Sequence, residues 1–156
     1  MFFSITDLTP VLRANQRLLG LDVGEKTIGL ALSDIRRVIA TPMHTIQRTR
    51  FAKDAAELLA IVEKHQIAAF VIGYPINMDG SEGPRCQATR QFARNLEEKS
   101  PLPILLFDER MSTMAVNRTM LEADLSRERR LELVDKMAAS YMLQGALDML
   151  PTQEVK

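Results

Sequence analysis

The hydrophobic pattern opens with two short apolar runs, residues 18–23 (Leu18-Leu19-Gly20-Leu21-Asp22-Val23) and 28–32 (Ile28-Gly29-Leu30-Ala31-Leu32). Runs of this length flanked by turn-forming residues predict strands, and the close spacing predicts a hairpin. Residues 39–46 predict a third, weaker strand, with Pro42 placing it at an edge or a bulge. Between residues 52 and 64 the apolar positions fall at Ala55, Leu58, Leu59 and Val62, the spacing of an amphipathic helix. A buried strand is expected over 67–73, then a loop rich in Pro, Asn, Asp, Gly and Ser over 74–84. Residues 85–99 predict a helix around Ala88, Phe92 and Leu96, and 104–107 a further strand running into Asp108-Glu109. Ser112 can cap a helix to about Glu122, and Ser126 another to about Leu150.

Strands alternating with helices in the second half imply parallel pairing through right-handed crossovers, while the first three strands suit an antiparallel meander. The expected fold class is therefore α/β, a mixed five-stranded sheet flanked by helices. At 156 residues the chain is long enough for one full core. Residues 1–17 are expected as an N-terminal extension, 18–150 as a single domain and 151–156 as a C-terminal tail. The first 16 residues show no basic start, sustained apolar core or small-residue cleavage pattern, so they do not resemble a signal peptide. No apolar run is long enough to span a bilayer. The single cysteine, Cys86, excludes an internal disulfide framework and a cysteine-rich zinc site, which fits a cytoplasmic location.

The formal net charge is zero, so there is no global pull toward polyanions. Basic residues nevertheless cluster at Arg36-Arg37, Arg48/Arg50/Lys53, Arg85/Arg90/Arg94 and Arg127/Arg129/Arg130. Arginine forks suit bidentate phosphate contacts, although such clusters are often solvated faces paired with glutamate. His44 and His65 lie away from any acid-bearing strand end and read as structural or solvent-facing. Cys86 reads as inert, and the nine methionines read as core filling.

The chemistry resides in the acids. Asp22 stands near the end of an apolar strand, where an unpaired carboxylate is costly to desolvate. Either a hydrogen-bond network or a cation must satisfy it. Asp108 and Glu109 end the last strand, and Asp135 begins a helical stripe continued by Ala138, Ala139 and Met142. In open α/β sheets ligands gather beyond the carboxyl ends of the parallel strands. Carboxylates converging there repel one another unless a divalent cation neutralises them, and hard oxygen donors select Mg²⁺ or Mn²⁺. A pair of such ions could clamp the attacking and leaving oxygens of a phosphoryl displacement. Singly, each acid has a plainer explanation: Asp108 could pair with Arg110, and Asp135 with Arg129 or Arg130. The loop 73–84 runs from a strand end into a helix N-terminus, where Asn77, Ser81 and glycine N–H groups could hold a phosphate. It lacks the Walker A spacing.

Four segments taken together resemble the motifs of the YqgF/RuvX family. They are Asp22-Val23-Gly24-Glu25-Lys26-Thr27-Ile28-Gly29, then Gly73-Tyr74-Pro75-Ile76-Asn77-Met78-Asp79-Gly80-Ser81-Glu82, then Asp108-Glu109-Arg110-Met111-Ser112-Thr113, and finally Asp135 followed by Ala138-Ala139. The resemblance implies a ribonuclease H-like fold and a metal-dependent nuclease acting on structured nucleic acid. For this family that means precursor 16S ribosomal RNA, matured at its 5′ end, or branched DNA at Holliday junctions. Asp22, Glu109 and Asp135 match the family's metal-holding catalytic acids, with Asp108 beside them. Lys26, Asn77, Ser81 and Arg110 are the expected substrate contacts. Ribosomal particles and a homodimer are the expected further partners. Thr27 stands where many members carry a basic residue, and Tyr74 replaces a usual leucine, offering either a stacking face or packing.

Two other readings compete with the ribonuclease and the resolvase. A non-catalytic nucleic-acid-binding module is disfavoured by retention of the acids. An ATP phosphate loop at Asp22-x-Gly24, as in sugar kinases, would need two facing domains.

Overall fold

A computed structural model describes residues 2–112 and 127–151, with the side chains of 127–136 outside that description. The elements run β1 (Phe2–Phe3), α1 (Ile5–Leu8), β2 (Arg17–Val23), β3 (Thr27–Ser33), β4 (Ala40–Gln47) and α2 (Phe51–His65). They continue with β5 (Ile67–Tyr74), α3 (Pro84–Lys99), β6 (Ile104–Asp108), a 3-10 turn (Glu109–Met111) and α4 (Arg127–Met149). The helix expected after Ser112 and the cap expected at Ser126 lie outside the described residues, as does most of the tail expected over 151–156.

The strands form one mixed sheet in the order β1-β6-β5-β2-β3-β4. β2, β5 and β6 are parallel, whereas β2-β3 and β3-β4 are antiparallel hairpin pairs. The fold class expected from the sequence is the one observed, with one correction. The sheet has six strands rather than five among the described residues, because Phe2 and Phe3 pair in parallel with Ile104 and Leu105. Two residues are too few to show a period-2 pattern, so β1 has no sequence signature of its own. The segment before β2 is tied to the core through Leu8, which is fully buried, with Ile5 and Leu12 packed against the same cluster. A Ser4–Asp7 capping box starts α1 and aligns that side chain. As expected from Pro42, β4 is an edge strand, and its register with β3 shifts between Gly29 and Ala31.

Strand alternation divides the core into two layers. Leu19, Leu21 and Val23 of β2, with Phe70 and Ile72 of β5, face α2 and α3. Leu18, Val71, Leu105 and Phe107 face α4. Each such fully buried side chain contributes roughly 1.5–3 kcal/mol. The α4 layer is lined by small residues on both sides, Ala31 and Ala69 on the sheet against Ala138, Ala139 and Ala146 on the helix. Gly20 makes the approach closest, because a Cβ there would stand 2.9 Å from the Leu143 Cβ. In α3 the buried stripe differs slightly from expectation. Cys86, Thr89, Phe92, Ala93 and Leu96 are buried, and Ala88 is exposed.

Candidate active site

The carboxyl ends of the three parallel strands β2, β5 and β6 lie side by side, and each ends near an acid or a glycine. Asp22 is the penultimate residue of β2 and pairs with Gly29 of β3. Leu18 and Gly20 of the same strand face α4, so the pleat places Asp22 on that face as well. The register of β2 with β5, Leu21 opposite Ile72, brings Gly73 beside Asp22 on the neighbouring strand.

Gly73 is the seat for the second carboxylate. A Cβ built on it would stand 2.7 Å from Glu109 Oε1 and 3.1 Å from Met142 Cγ of α4. The Glu109 carboxylate therefore lies against the bare Cα of Gly73, on the face shared with Asp22. Its backbone is fixed by the 3-10 turn. The Ser112 N–H and hydroxyl both donate to the Glu109 carbonyl, at 3.1 and 2.7 Å. Gly145 of α4 lies over that turn, where a Cβ would meet Ser112 Cβ at 2.8 Å.

The adjacent acids part company here. Asp108 continues the strand parity of Ile104 and Leu106, which pack on the α2/α3 side. Its carboxylate accepts from the Arg110 backbone N–H at 2.9 Å and from the Arg110 guanidinium at 2.8–3.1 Å. The Arg110 hydrogen bonds hold the Asp108 carboxyl below its ordinary range. Of the two roles the sequence offers Asp108, the pairing with Arg110 is the one these contacts form. Asp108 is the cap and ion-pair partner that aims the Glu109 turn.

Asp135 lies within α4, three and four residues before the buried Ala138 and Ala139, and its side chain is outside the described residues. Among the described residues no three histidine, cysteine or acidic side chains form a metal-binding group. The donor set the structure does describe, two carboxylates across a glycine cradle at the strand ends, suits a hard divalent cation.

The remaining expected contacts are distributed as follows. Lys26 is exposed in the β2–β3 turn. Arg48 braces that turn, donating from Nη1 to the Gly24 carbonyl at 2.6 Å and from its backbone N–H to Lys26 O at 2.9 Å. Asn77 and Ser81 are bound to each other at 3.0 Å, and the Ser81 hydroxyl donates to Asp79 at 2.6 Å. Those groups hold the loop in shape around Gly80, whose φ of +89° favours glycine. Arg110 reaches the same loop, its Nη1 3.7 Å from where a Gly80 Cβ would stand. Tyr74 packs rather than stacks. It is 5% exposed and donates to Glu82 at 2.8 Å beneath the Arg90 guanidinium. Burial, then the Glu82 hydrogen bond, pushes its hydroxyl up to about 12. His44 pairs with Glu57 at 3.2 Å on the surface, and Cys86 is buried with its thiol on Pro75 O.

Sequence reasoning missed Gly73 as the seat of Glu109 and Arg48 as the brace of the turn. The signal for the first was the small residue at a strand end directly before the loop. The second had no sequence signal beyond its basic cluster.

The chain is similar to known proteins in sequence and in fold. The RuvX family model, described as Holliday junction resolvase, matches residues 16–149. A protein of Paramagnetospirillum magneticum named "Putative pre-16S rRNA nuclease" is 60% identical over 142 residues, covering 91% of this chain and 92% of its own. A Rhodobacter capsulatus protein of the same name is 63% identical over 133 residues, covering 85% and 84%. The structure of T. thermophilus RuvC in complex with Holliday junction substrate superposes with a TM-score of 0.53 at 11% identity. It covers 88% of this chain and 99% of that one. At that identity the likeness is one of fold, and the fold is ribonuclease H-like. With four motifs in order, three of them meeting at the strand ends and α4, the chain belongs to the RuvX family.

Proposed function

We propose that this protein is a divalent-metal-dependent endonuclease that matures the 5′ end of precursor 16S ribosomal RNA. The observation that carries this reading is the pair Asp22 and Glu109 on one face across Gly73, in a chain 60% identical to a relative named for that activity. Asp22, Glu109 and Asp135 would hold the metal, and Mg²⁺ or Mn²⁺ suits their oxygen donors. When bound, the metal supplies neutralisation of the charge developing on the phosphoryl group and lowers the pKa of the attacking water.

This chain's own residues do the positioning. Asp22 and Glu109 would hold the cation at the carboxyl ends of β2 and β5, and the reacting phosphate would be drawn there through that charge. Asp108 and Ser112 lock the turn bearing Glu109. Lys26, at the exposed tip of the first turn, contacts the strand backbone. Asn77 and Ser81 shape the second loop, and Arg110 lies between that loop and Asp108, where it would meet a flanking phosphate. We place the reaction in the cytoplasm on ribosomal precursor particles. No helix among the described residues is long and apolar enough to cross a membrane.

The family model's own description favours a second reading, resolution of Holliday junctions in DNA. That reaction needs two sites on a symmetric dimer. The two readings separate by cleavage, in Mg²⁺ or Mn²⁺, of a precursor 16S 5′-leader RNA and a mobile four-way DNA junction side by side. Metal-dependent cutting of the RNA alone is the expected result. Paired symmetric nicks in the junction with the RNA intact would establish the resolvase instead. Binding of either without cutting would indicate a non-catalytic module.

A further inference from the structure

On the opposite side of the β2–β3 hairpin from the acids lies an open groove of about 540 Å³. Val23 and Gly24 of the hairpin, Arg48 of the β4–α2 connection, and Arg85, Ala88 and Thr89 of α3 line it. The catalytic reading uses none of its side chains. Three independent features point to an anionic ligand.

The first is Thr89, which is 2% exposed, borders the groove, and makes no side-chain hydrogen bond among the described residues. A buried hydroxyl without a partner is costly, and one bordering a cavity can be satisfied by what enters it. The second is the α3 N-terminus. No side chain caps this 16-residue helix, and Pro84 occupies its first turn. The Gly83 carbonyl takes the N–H groups of Cys86 and Gln87, leaving that of Arg85 without a partner among the described residues. Such a terminus favours negative charge. The third is the pair of guanidinium groups. Arg48 is held over the Phe92 ring at 5.5 Å, with one N–H on Gly24 O and further donors left. Arg85 is exposed and has no ion pair among the described residues. Glu25 stands at the rim as the one opposing charge, outweighed by the two arginines.

We propose that this groove is a second phosphate-binding site, which takes a nucleotide phosphate on the Thr89 hydroxyl, the α3 N-terminus and the Arg48–Arg85 pair. Its apolar floor of Val23, Pro84 and Ala88 accommodates the attached nucleoside. Val23 follows Asp22 directly and faces the other way, so a polynucleotide crossing the strand ends would meet the acids and the groove in succession. A phosphodiester of the substrate strand is therefore the source the position favours. That source rests on the nuclease reading, whereas a phosphate monoester of a free nucleotide has the same chemistry.

The test measures binding by the full chain in EDTA, with a labelled single-stranded RNA 12-mer as one ligand and adenosine 5′-monophosphate as the other. The variants are Arg85→Ala and Thr89→Val, with Arg94→Ala, on α3 away from the groove, as the charge control. Arg85→Ala is expected to weaken RNA binding about tenfold and reduce the salt slope by about one. Thr89→Val is expected to weaken it about threefold to tenfold, with an unchanged or raised melting temperature because the hydroxyl has no partner among the described residues. Arg94→Ala should stay within about twofold. Loss of monophosphate binding with RNA binding intact would keep the phosphate site and make the free nucleotide its ligand. Wild-type affinity for both ligands in both groove variants would overturn the proposal. If the wild type binds no RNA, the nuclease reading fails, and the monophosphate arm alone decides the groove.

Discussion

Asp22→Asn is expected to lower the rate of metal-dependent RNA cleavage on the order of 10²–10³-fold or more, with RNA affinity in EDTA preserved. The amide keeps the shape and removes the charge on which a cation depends. Asp22 stands beside Gly73, against which the Glu109 carboxylate is seated. Asp108→Asn is the informative contrast. Asp108 sits on the other side of the sheet in a fork with Arg110. Its loss should loosen the Glu109 turn and lower the rate within about tenfold. Single-turnover cleavage of the same RNA by both variants measures the difference, and equal losses would mean that Asp108 belongs with the metal-holding acids.

Gly73→Ala is expected to cost about 1–3 kcal/mol of stability and about 10–100-fold in cleavage. The added methyl would stand 2.7 Å from Glu109 Oε1 and 3.1 Å from Met142 Cγ. Both are side-chain atoms, so the chain can accommodate it by swinging the carboxylate away. Activity should therefore fall further than the lost stability explains. Gly20→Ala provides the comparison, since its methyl would crowd the Leu143 Cβ at 2.9 Å in the middle of the sheet. It should be destabilised to a similar degree and, at a temperature where it is folded, cut at near the wild-type rate. Thermal melts and cleavage assays on the two variants together test this. Equal activity per folded molecule in both would show that the seat at Gly73 does not govern Glu109.

Most of the fold was legible because its central strands are largely apolar runs and its helices are amphipathic or punctuated by Pro and Gly. β2, β5 and β6 could be located this way, and so could the acids at their ends. What sequence could not supply was phase. Every position from Ile104 to Phe107 is apolar, so the alternation that sends Asp108 to one face and leaves Glu109 on the other is hidden until pairing with β5 sets it. The seat at Gly73 and the close approach at Gly20 are likewise facts of three-dimensional space, invisible where a glycine could equally serve a turn. β1 escaped for a different reason, since its two residues gain their structure only from the neighbouring β6. A threonine in a polar-faced helix gives no sign in sequence that it turns inward, as Thr89 does.

The central claim is that Asp22 and Glu109 together hold a divalent cation while Asp108 does not. Titration of the metal-free protein with Mn²⁺, followed by electron paramagnetic resonance, tests it most directly. The wild type and Asp108→Asn should bind the ion, and Asp22→Asn and Glu109→Gln should each lose it or bind at least about tenfold more weakly. Wild-type Mn²⁺ binding by Asp22→Asn or Glu109→Gln, or its loss in Asp108→Asn alone, would contradict the account.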